Sequence, residues 1–237
     1  MLILVARRAR SLRAERIIDM STGEIIARYA AAAIVGYLVG SIPNGVLVGK
    51  LFGNRDPRAH GSGKTGTTNV LRTLGVGPAA LVMVLDTTKG VAAVLLARFV
   101  LFPAQPGATA TMQAWAEAIA GLAAILGHNY SIFIRFAGGR GVATGGGAIL
   151  AMNPLAFVCS VFGLIVPIVV TRYVSLGSII ASATAAIVAT ALAVTGHEVW
   201  PHAVFMILGA AFVIVSHGDN IQRLLAGTER RLGQPST

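Results

Sequence analysis

The sequence predicts an all-α integral membrane protein with about seven transmembrane helices, one of them short, whose glycine-rich loops form the site. Three observations predict it. Of 237 residues, 55% are hydrophobic and 12% charged, with a mean hydropathy of +0.75, too few charges to cover a soluble domain of this size. The apolar residues come in runs near the ~20 that a helix needs to cross the hydrocarbon core. The 28 glycines and the 6% aromatic content favour closely packed helices over a porin-like barrel.

In chain order, residues 1–27 read as a basic extension. Five arginines between Arg7 and Arg16 alternate with apolar residues, without the apolar core of a signal peptide. The segment is either a basic helix on anionic lipid or a dispensable extension upstream of a start at Met20. Residues 28–237 read as one polytopic domain. Its first span runs from Arg28 to Leu51, and the spacings Gly36–Gly40 and Gly45–Gly49 allow close approach of another helix. The second runs from Pro78 to about Phe102 and the third from Gln113 to about Phe136. Gly141 to Met152 can cross only partly. Pro154–Thr171, Ser175–Thr195 and Trp200–Ser216 complete the set. The lone Cys159, inside an apolar run, is a small hydrophobe.

Basic residues orient the bundle. Arg55, Arg58, Lys64, Arg72, Arg135, Arg140, Arg172, Arg223, Arg230 and Arg231 fall on one side, while the 103–112 and 196–199 loops have no Lys or Arg. That side and the C-terminus are therefore expected in the cytoplasm. The arginine-rich tail then lies outside. Either the inner charges outvote it or it is not part of the working protein.

Four polar stretches punctuate the spans, all at the expected cytoplasmic ends. Polar backbone at membrane depth is tolerated only where protein buries it or it lines a wet cavity, so four converging stretches suggest one site. In the first, Gly61, Gly63 and Gly66 allow backbone amides to wrap an anion, with Ser62, Lys64, Thr65 and Arg72 as further donors. The run also fits a dinucleotide fingerprint and the end of a Walker A loop, but it follows a membrane helix, and Arg58 stands where the first Walker glycine belongs. In the second, Gly138, Gly139 and Gly141 flank Arg140 just before a helix, a natural phosphate position. The third sets Ser175 and Ser178 on one face of a first helical turn, where N-capping is an equal reading. The fourth puts His217 and Asn220 about a turn apart. Asp86 and Lys89, three apart within the second span, read as an ion pair. No two histidines have metal-ligand spacing on a helix, so no metal is expected.

These residues together resemble the acyl-phosphate:glycerol-3-phosphate acyltransferases of bacterial membranes, the PlsY family. The carrying residues are Gly40 to Gly45 with Lys50, Gly61-Ser-Gly63 through Thr68-Asn69 to Arg72, and Asp86 with Lys89-Gly90. They continue with Gly127-His128, Gly138-Gly139, Gly141 to Thr144, Tyr173 to Leu176, His217 with Asn220-Ile221, Arg223 to Leu225 and Gly227 to Glu229. The likeness covers about Gly36 to Gly233. It implies transfer of an acyl group from a long-chain acyl phosphate to the 1-hydroxyl of glycerol 3-phosphate, giving lysophosphatidic acid for phospholipid synthesis. It implies a bacterial plasma membrane location with the site on the cytoplasmic face, no cofactor and no obligatory protein partner.

By the same resemblance, Ser62, Arg72, His217 and Asn220 carry the reaction, with Arg72 clamping the glycerol phosphate. Gly61, Gly63, Lys64, Thr65, Gly66 and Asn69 bind substrate from the first loop. Gly138, Gly139, Arg140 and Gly141 do so from the second, with Ser175 and Ser178 completing the pocket. The donor's own phosphate is thought to take the hydroxyl proton, with His217 as general base the alternative. Lys64 stands where the family has Asn, Arg140 where it has Lys, Ser131 where Pro is common, and Ala137 also departs from the pattern.

The principal rival is a transporter of a small phosphorylated anion, which calls for a site near the midplane and often internal repeats. No repeat relates the halves. A metal-dependent phosphotransferase needs clustered carboxylates, and the nine Asp and Glu are scattered. Nucleic-acid binding is excluded, since the net charge of +10 is explained by loops and tail facing anionic lipid.

Overall fold

The computed structural model describes residues 20–103 and 107–234. The arginines Arg7 to Arg16 lie outside them. Among the described residues there is no strand, and ten α-helices follow one another with short turns. The first helix, α1 (Thr22–Gly40), begins ahead of the expected Arg28, with Ser21 accepting from the Glu24 amide at its cap. It breaks at Ser41–Pro43 and resumes as α2 (Asn44–Gly53). Pro43 has no amide hydrogen and disfavours helix in the residue before it. The break frees the Ile42 carbonyl, which accepts from Lys89 Nζ at 3.0 Å.

After a 3-10 turn at Pro57–Ala59 come α3 (Thr67–Leu74) and α4 (Val76–Leu96), which ends in a π turn, Ala97–Leu101. Then follow α5 (Ala110–Asn129), α6 (Val142–Met152), α7 (Pro154–Thr171), α8 (Val174–Val194), α9 (Trp200–Ser216) and α10 (Gly218–Leu225). Five helical segments are long and apolar enough to cross a membrane: Thr22–Gly53, Val76–Leu101, Ala110–Ile134, Pro154–Thr171 and Val174–Val194. A sixth is the pair α9 and α10, bent by 60°. The fold is thus the expected all-α membrane bundle.

The third span reaches Ile134 as expected, but its helix breaks before the end. Helix α5 stops at Asn129, and Ser131 turns back to donate its hydroxyl to the Ser41 carbonyl. A 3-10 turn at Ile132–Ile134 follows. Helix α6 has only 11 residues, about 16 Å at 1.5 Å per residue, roughly half of a ~30 Å hydrocarbon core. Helix α7 starts directly after it and runs back for 18 residues. Gly141, at the start of α6, therefore lies well inside the depth that α7 spans.

Small residues set the packing, as expected where no hydrophobic driving force separates helix from lipid. A Cβ on Gly36 would lie 2.4 Å from the Ala120 oxygen and one on Gly40 2.2 Å from that of Ala124, so this spacing seats α1 on α5. The Gly45–Gly49 spacing receives no helix. Gly45 faces the Thr65 carbonyl and Gly49 that of Arg55, so these glycines admit loop backbone. Helices α4 and α6 meet through Gly90 against Thr144 and Gly147 against Thr87. The core between α5, α6, α8 and α9 is largely alanine, with Met152, Phe205 and Met206 filling it.

A polar clasp closes the end of the bundle opposite the glycine-rich loops. Glu117 on α5 accepts from Arg98 Nε and Nη2, both at 2.8 Å, and contacts His202 Nε2 at 3.0 Å. His202 Nδ1 meets Glu198 at 3.0 Å, Glu198 accepts from Asn153, and Arg98 also donates to the Ala151 carbonyl. The π turn, α5, the α6–α7 corner and the start of α9 are thereby tied together.

Candidate active site

The first glycine-rich stretch is shaped by one side chain. Asn69, buried in the first turn of α3, donates through Nδ2 to the carbonyls of Pro57, His60 and Lys64 at 2.7, 3.1 and 2.8 Å. Its Oδ1 accepts from the Ser62 amide at 2.9 Å. The loop so gathered turns through left-handed backbone at Gly61 (φ 63°) and Gly63 (φ 67°), which glycine adopts without strain. It then delivers Gly66, Thr67 and Thr68 to the wall of a large cavity. The amides of Thr67 and Thr68, at the start of α3, have no backbone acceptor. Arg72 follows on the same helix.

The cavity has a volume of about 810 Å³ and two characters. Its polar end carries Ser62, Lys64, Arg72, Arg140, Ser175, Ser178, His217 and Asn220. Its apolar end runs between α4 and α7 past Met83, Val84, Val161, Leu164 and Ile165, with Phe157, Phe205 and Met206 deepest. Met83, Val84 and Ile165 are half-exposed on the outer surface of the bundle.

The second stretch joins the first through backbone. The Thr65 amide donates to the Gly138 carbonyl at 3.4 Å and the Gly139 amide to the His128 carbonyl at 3.1 Å. A Cβ on Gly139 would stand 2.0 Å from His128 Nε2. His128 lies 3.6 Å from Asp86, which pairs with Lys89 at 2.9 Å and accepts from Asn44 at 3.0 Å. The expected ion pair thus anchors a larger buried cluster that backs the cavity. Arg140 Nε donates to the Ser216 carbonyl at 3.1 Å. Burial lowers the Arg140 and Arg72 guanidinium pKa values, neighbouring arginines add to this, and Asp219 (for Arg140) and Glu229 (for both) act against it from a distance. No carboxylate pairs with Arg72, whose Nη2 only reaches the Arg230 carbonyl at 3.5 Å. Two half-buried arginines without carboxylate partners are well disposed towards an anion.

The third and fourth stretches meet at Glu229. Its Oε1 accepts from Ser175 Oγ at 2.9 Å and Asn220 Nδ2 at 2.7 Å, and its Oε2 from Arg223 Nε at 2.8 Å. Burial pushes the carboxyl up, but these three donors outweigh it and hold its pKa below the usual range. With Nδ2 taken by Glu229, Asn220 keeps Oδ1 buried and without a partner, as is Thr67 Oγ1 across the cavity. His217 Nδ1 donates to the Val213 carbonyl at 2.8 Å, leaving Nε2 as its remaining polar atom. Ser178 Oγ is engaged with the Val174 carbonyl within its own helix at 2.9 Å.

Of the residues singled out in the sequence, Ser62, Lys64, Gly66, Asn69, Arg72, Arg140, Gly141, Ser175, Ser178, His217 and Asn220 line this one cavity. Gly61, Gly63, Thr65, Gly138 and Gly139 stand behind the lining and shape it. Asn69 has its amide committed to the loop, so its part is to position Ser62 and Lys64. Thr67, Thr68 and Glu229 are not among the expected site residues, although Thr68 and Glu229 stand in the motifs that carry the resemblance. Among the described residues no group of His, Cys, Asp and Glu could hold a metal.

A family model described as glycerol-3-phosphate acyltransferase matches residues 30–227. The glycerol-3-phosphate acyltransferase 2 of Moorella thermoacetica is 45% identical over 205 residues, which cover 86% of this chain and 98% of that protein. A Synechococcus glycerol-3-phosphate acyltransferase is 43% identical over 208 residues, 87% of this chain and 96% of its own. Among solved structures, the crystal structure of PlsY (YgiH), an integral membrane glycerol 3-phosphate acyltransferase, is similar in its glycerol 3-phosphate form. It has a TM-score of 0.74 and 37% identity, covering 86% of this chain and 96% of that one. Its lysophosphatidic acid form gives 0.73 and 35%.

Proposed function

This chain belongs to the glycerol-3-phosphate acyltransferase family, and from that premise we propose that it transfers the acyl group of a long-chain acyl phosphate to the 1-hydroxyl of glycerol 3-phosphate. The products are lysophosphatidic acid and inorganic phosphate. The observation that carries the reading is the pairing of unsatisfied polar atoms with unpaired cations at the head of an apolar cavity. The acyl chain lies along the α4–α7 channel. Arg72, Lys64 and the free amides of Thr67 and Thr68 hold one phosphate, and Arg140 holds the other. Asn220 Oδ1 accepts from the glycerol hydroxyl, and Glu229 fixes that amide so that the oxygen faces the cavity.

The hydroxyl oxygen attacks the acyl carbonyl carbon, the carbon–oxygen bond to phosphate breaks, and the phosphate leaves with the hydroxyl proton. An activated donor with a stable leaving group needs positioning and charge stabilisation above all. His217 offers a second route for the proton, because its Nδ1 is committed to Val213 and Nε2 is left to accept. Membership of an acyltransferase family favours this reading over a transporter. The positive-inside distribution of arginines supports a cytoplasmic site in the inner membrane.

The test is purified protein with labelled glycerol 3-phosphate, supplied in parallel with palmitoyl phosphate and palmitoyl-CoA. Lysophosphatidic acid from the phosphate alone supports the donor assignment, and product from the thioester alone overturns it. Arg72→Ala is expected to lower kcat/KM by about a hundredfold or more, the scale for loss of one charge-stabilising donor. Activity equal to wild type removes Arg72 from the site.

A further inference from the structure

A second cavity lies outside the acyl-transfer site, where the end of α2 meets the turn after α5. It is about 430 Å³ in volume and is lined by Lys50, Asp56, Arg58, Phe133, Arg135 and their neighbours. Arg58 is fully engaged: Nη2 meets Asp56 at 2.7 Å and Nη1 donates to the Ile134 carbonyl at 3.1 Å, stitching the two loops together. Lys50 and Arg135 are exposed and have neither hydrogen bond nor ion pair. Three positive groups thus face one carboxylate.

The surroundings are those of a membrane boundary. The cavity sits at the ends of two apolar spans, Thr22–Gly53 and Ala110–Ile134. Phe133, on the cavity wall, is 59% exposed, and the same end of α2 carries the exposed Leu51 and Phe52 outside the lining. Arg135 (φ 56°) and Phe136 (φ 60°) are consecutive non-glycine residues in the left-handed region, a conformation held only where the surroundings demand it. Lysines and arginines at helix ends ordinarily snorkel to the headgroups singly. Here two unpaired cations flank one concavity that Phe133 borders.

We propose that this cavity binds the phosphate of an anionic phospholipid, with Lys50 and Arg135 as its clamp and the lipid chains leaving past Phe133. A phosphate bridging the clamp braces the end of α2 against the 131–136 turn. That turn continues into Gly138–Gly141, and the loop past Arg58 continues into Gly61–Gly66. The bound lipid therefore steadies both phosphate-binding loops where Thr65 meets Gly138, and acyl transfer rises with it. Lipid binding itself does not depend on the acyltransferase reading, only its effect on acyl transfer does.

The full chain is placed in nanodiscs of phosphatidylcholine with increasing phosphatidylglycerol, and thermal unfolding is followed. Wild type is expected to rise in Tm with the anionic lipid. Lys50→Gln should weaken the apparent lipid affinity about fivefold, the equivalent of ~1 kcal/mol for one basic residue at a charged surface. Arg135→Gly removes the second cation while relieving the left-handed backbone, so it is expected to fold in pure phosphatidylcholine and still lose the lipid response. A response to phosphatidylglycerol unchanged in Lys50→Gln and Arg135→Gly overturns the site. Inorganic phosphate in detergent is the control. A shift by free phosphate that the same substitutions abolish reassigns the cavity to a soluble anion and overturns the lipid proposal.

Discussion

Asn69 and Arg72 lie one helical turn apart on α3, and their side chains have opposite commitments. Asn69 spends its entire amide on the loop before it, while Arg72 has no carboxylate and faces the cavity. Sequence alone makes both polar residues in a glycine-rich stretch, so it names both as ligand groups. Which one is spoken for depends on where the Pro57 and His60 carbonyls fold to, and spacing does not contain that. Glu229 escaped for the same reason, since its three donors come from α8 and α10. Gly139 is the sharpest case at this scale. Because His128 is buried and held towards Asp86, a methyl group at Gly139 has to displace the loop and not the ring. Gly139→Ala is therefore expected to fold and to lose about a hundredfold in kcat/KM, the effect of ångström-scale misplacement at a reacting centre. A steady-state assay checks it, and wild-type kinetics would show that the loop has slack.

Elements were legible where apolar runs were long. The second, fifth and sixth expected spans lie close to α4 with its π turn, α7 and α8. The first and third expected spans are present as Thr22–Gly53 and Ala110–Ile134, but tertiary contacts break the helix inside each. The first breaks at Ser41–Pro43 and gives a carbonyl to Lys89, and the third breaks at Asn129 so that Ser131 can reach Ser41. The clasp around Glu117 was not legible at all, because Glu117 and His202 come from two helices, Arg98 from the π turn and Glu198 from the loop before α9. The Glu117 carboxylate is buried against the Arg98 guanidinium and the His202 ring, and truncation leaves both without their acceptor. Glu117→Ala is expected to lower stability by about 3–5 kcal/mol, read as a fall in Tm in detergent. Residual protein should keep its KM, because the clasp lies at the far end of the bundle from the cavity.

At the scale of the whole molecule, one end of the bundle is cationic and glycine-rich and the other is tied by a clasp built on two carboxylates, Glu117 and Glu198. This asymmetry was visible in the distribution of arginines before any helix was placed, and four separate polar stretches converge as that distribution suggested. It predicts that a reporter fused after Thr237 reads as cytoplasmic. Activity of an outward-facing reporter at the same position would invert the bundle.

The 11-residue length of α6 carries one more consequence. Because that helix starts part-way through the bilayer, the head of the cavity is recessed, and its apolar limb opens towards lipid beside Met83 and Ile165. A lipophilic donor then reaches the reacting atoms by lateral diffusion, while the polar acceptor arrives from water. The two substrates obey different concentration scales, one per unit of membrane and the other per unit of volume. In mixed micelles, adding inert detergent at constant total donor should slow turnover by surface dilution, whereas adding buffer at constant acceptor concentration should leave the rate per enzyme unchanged.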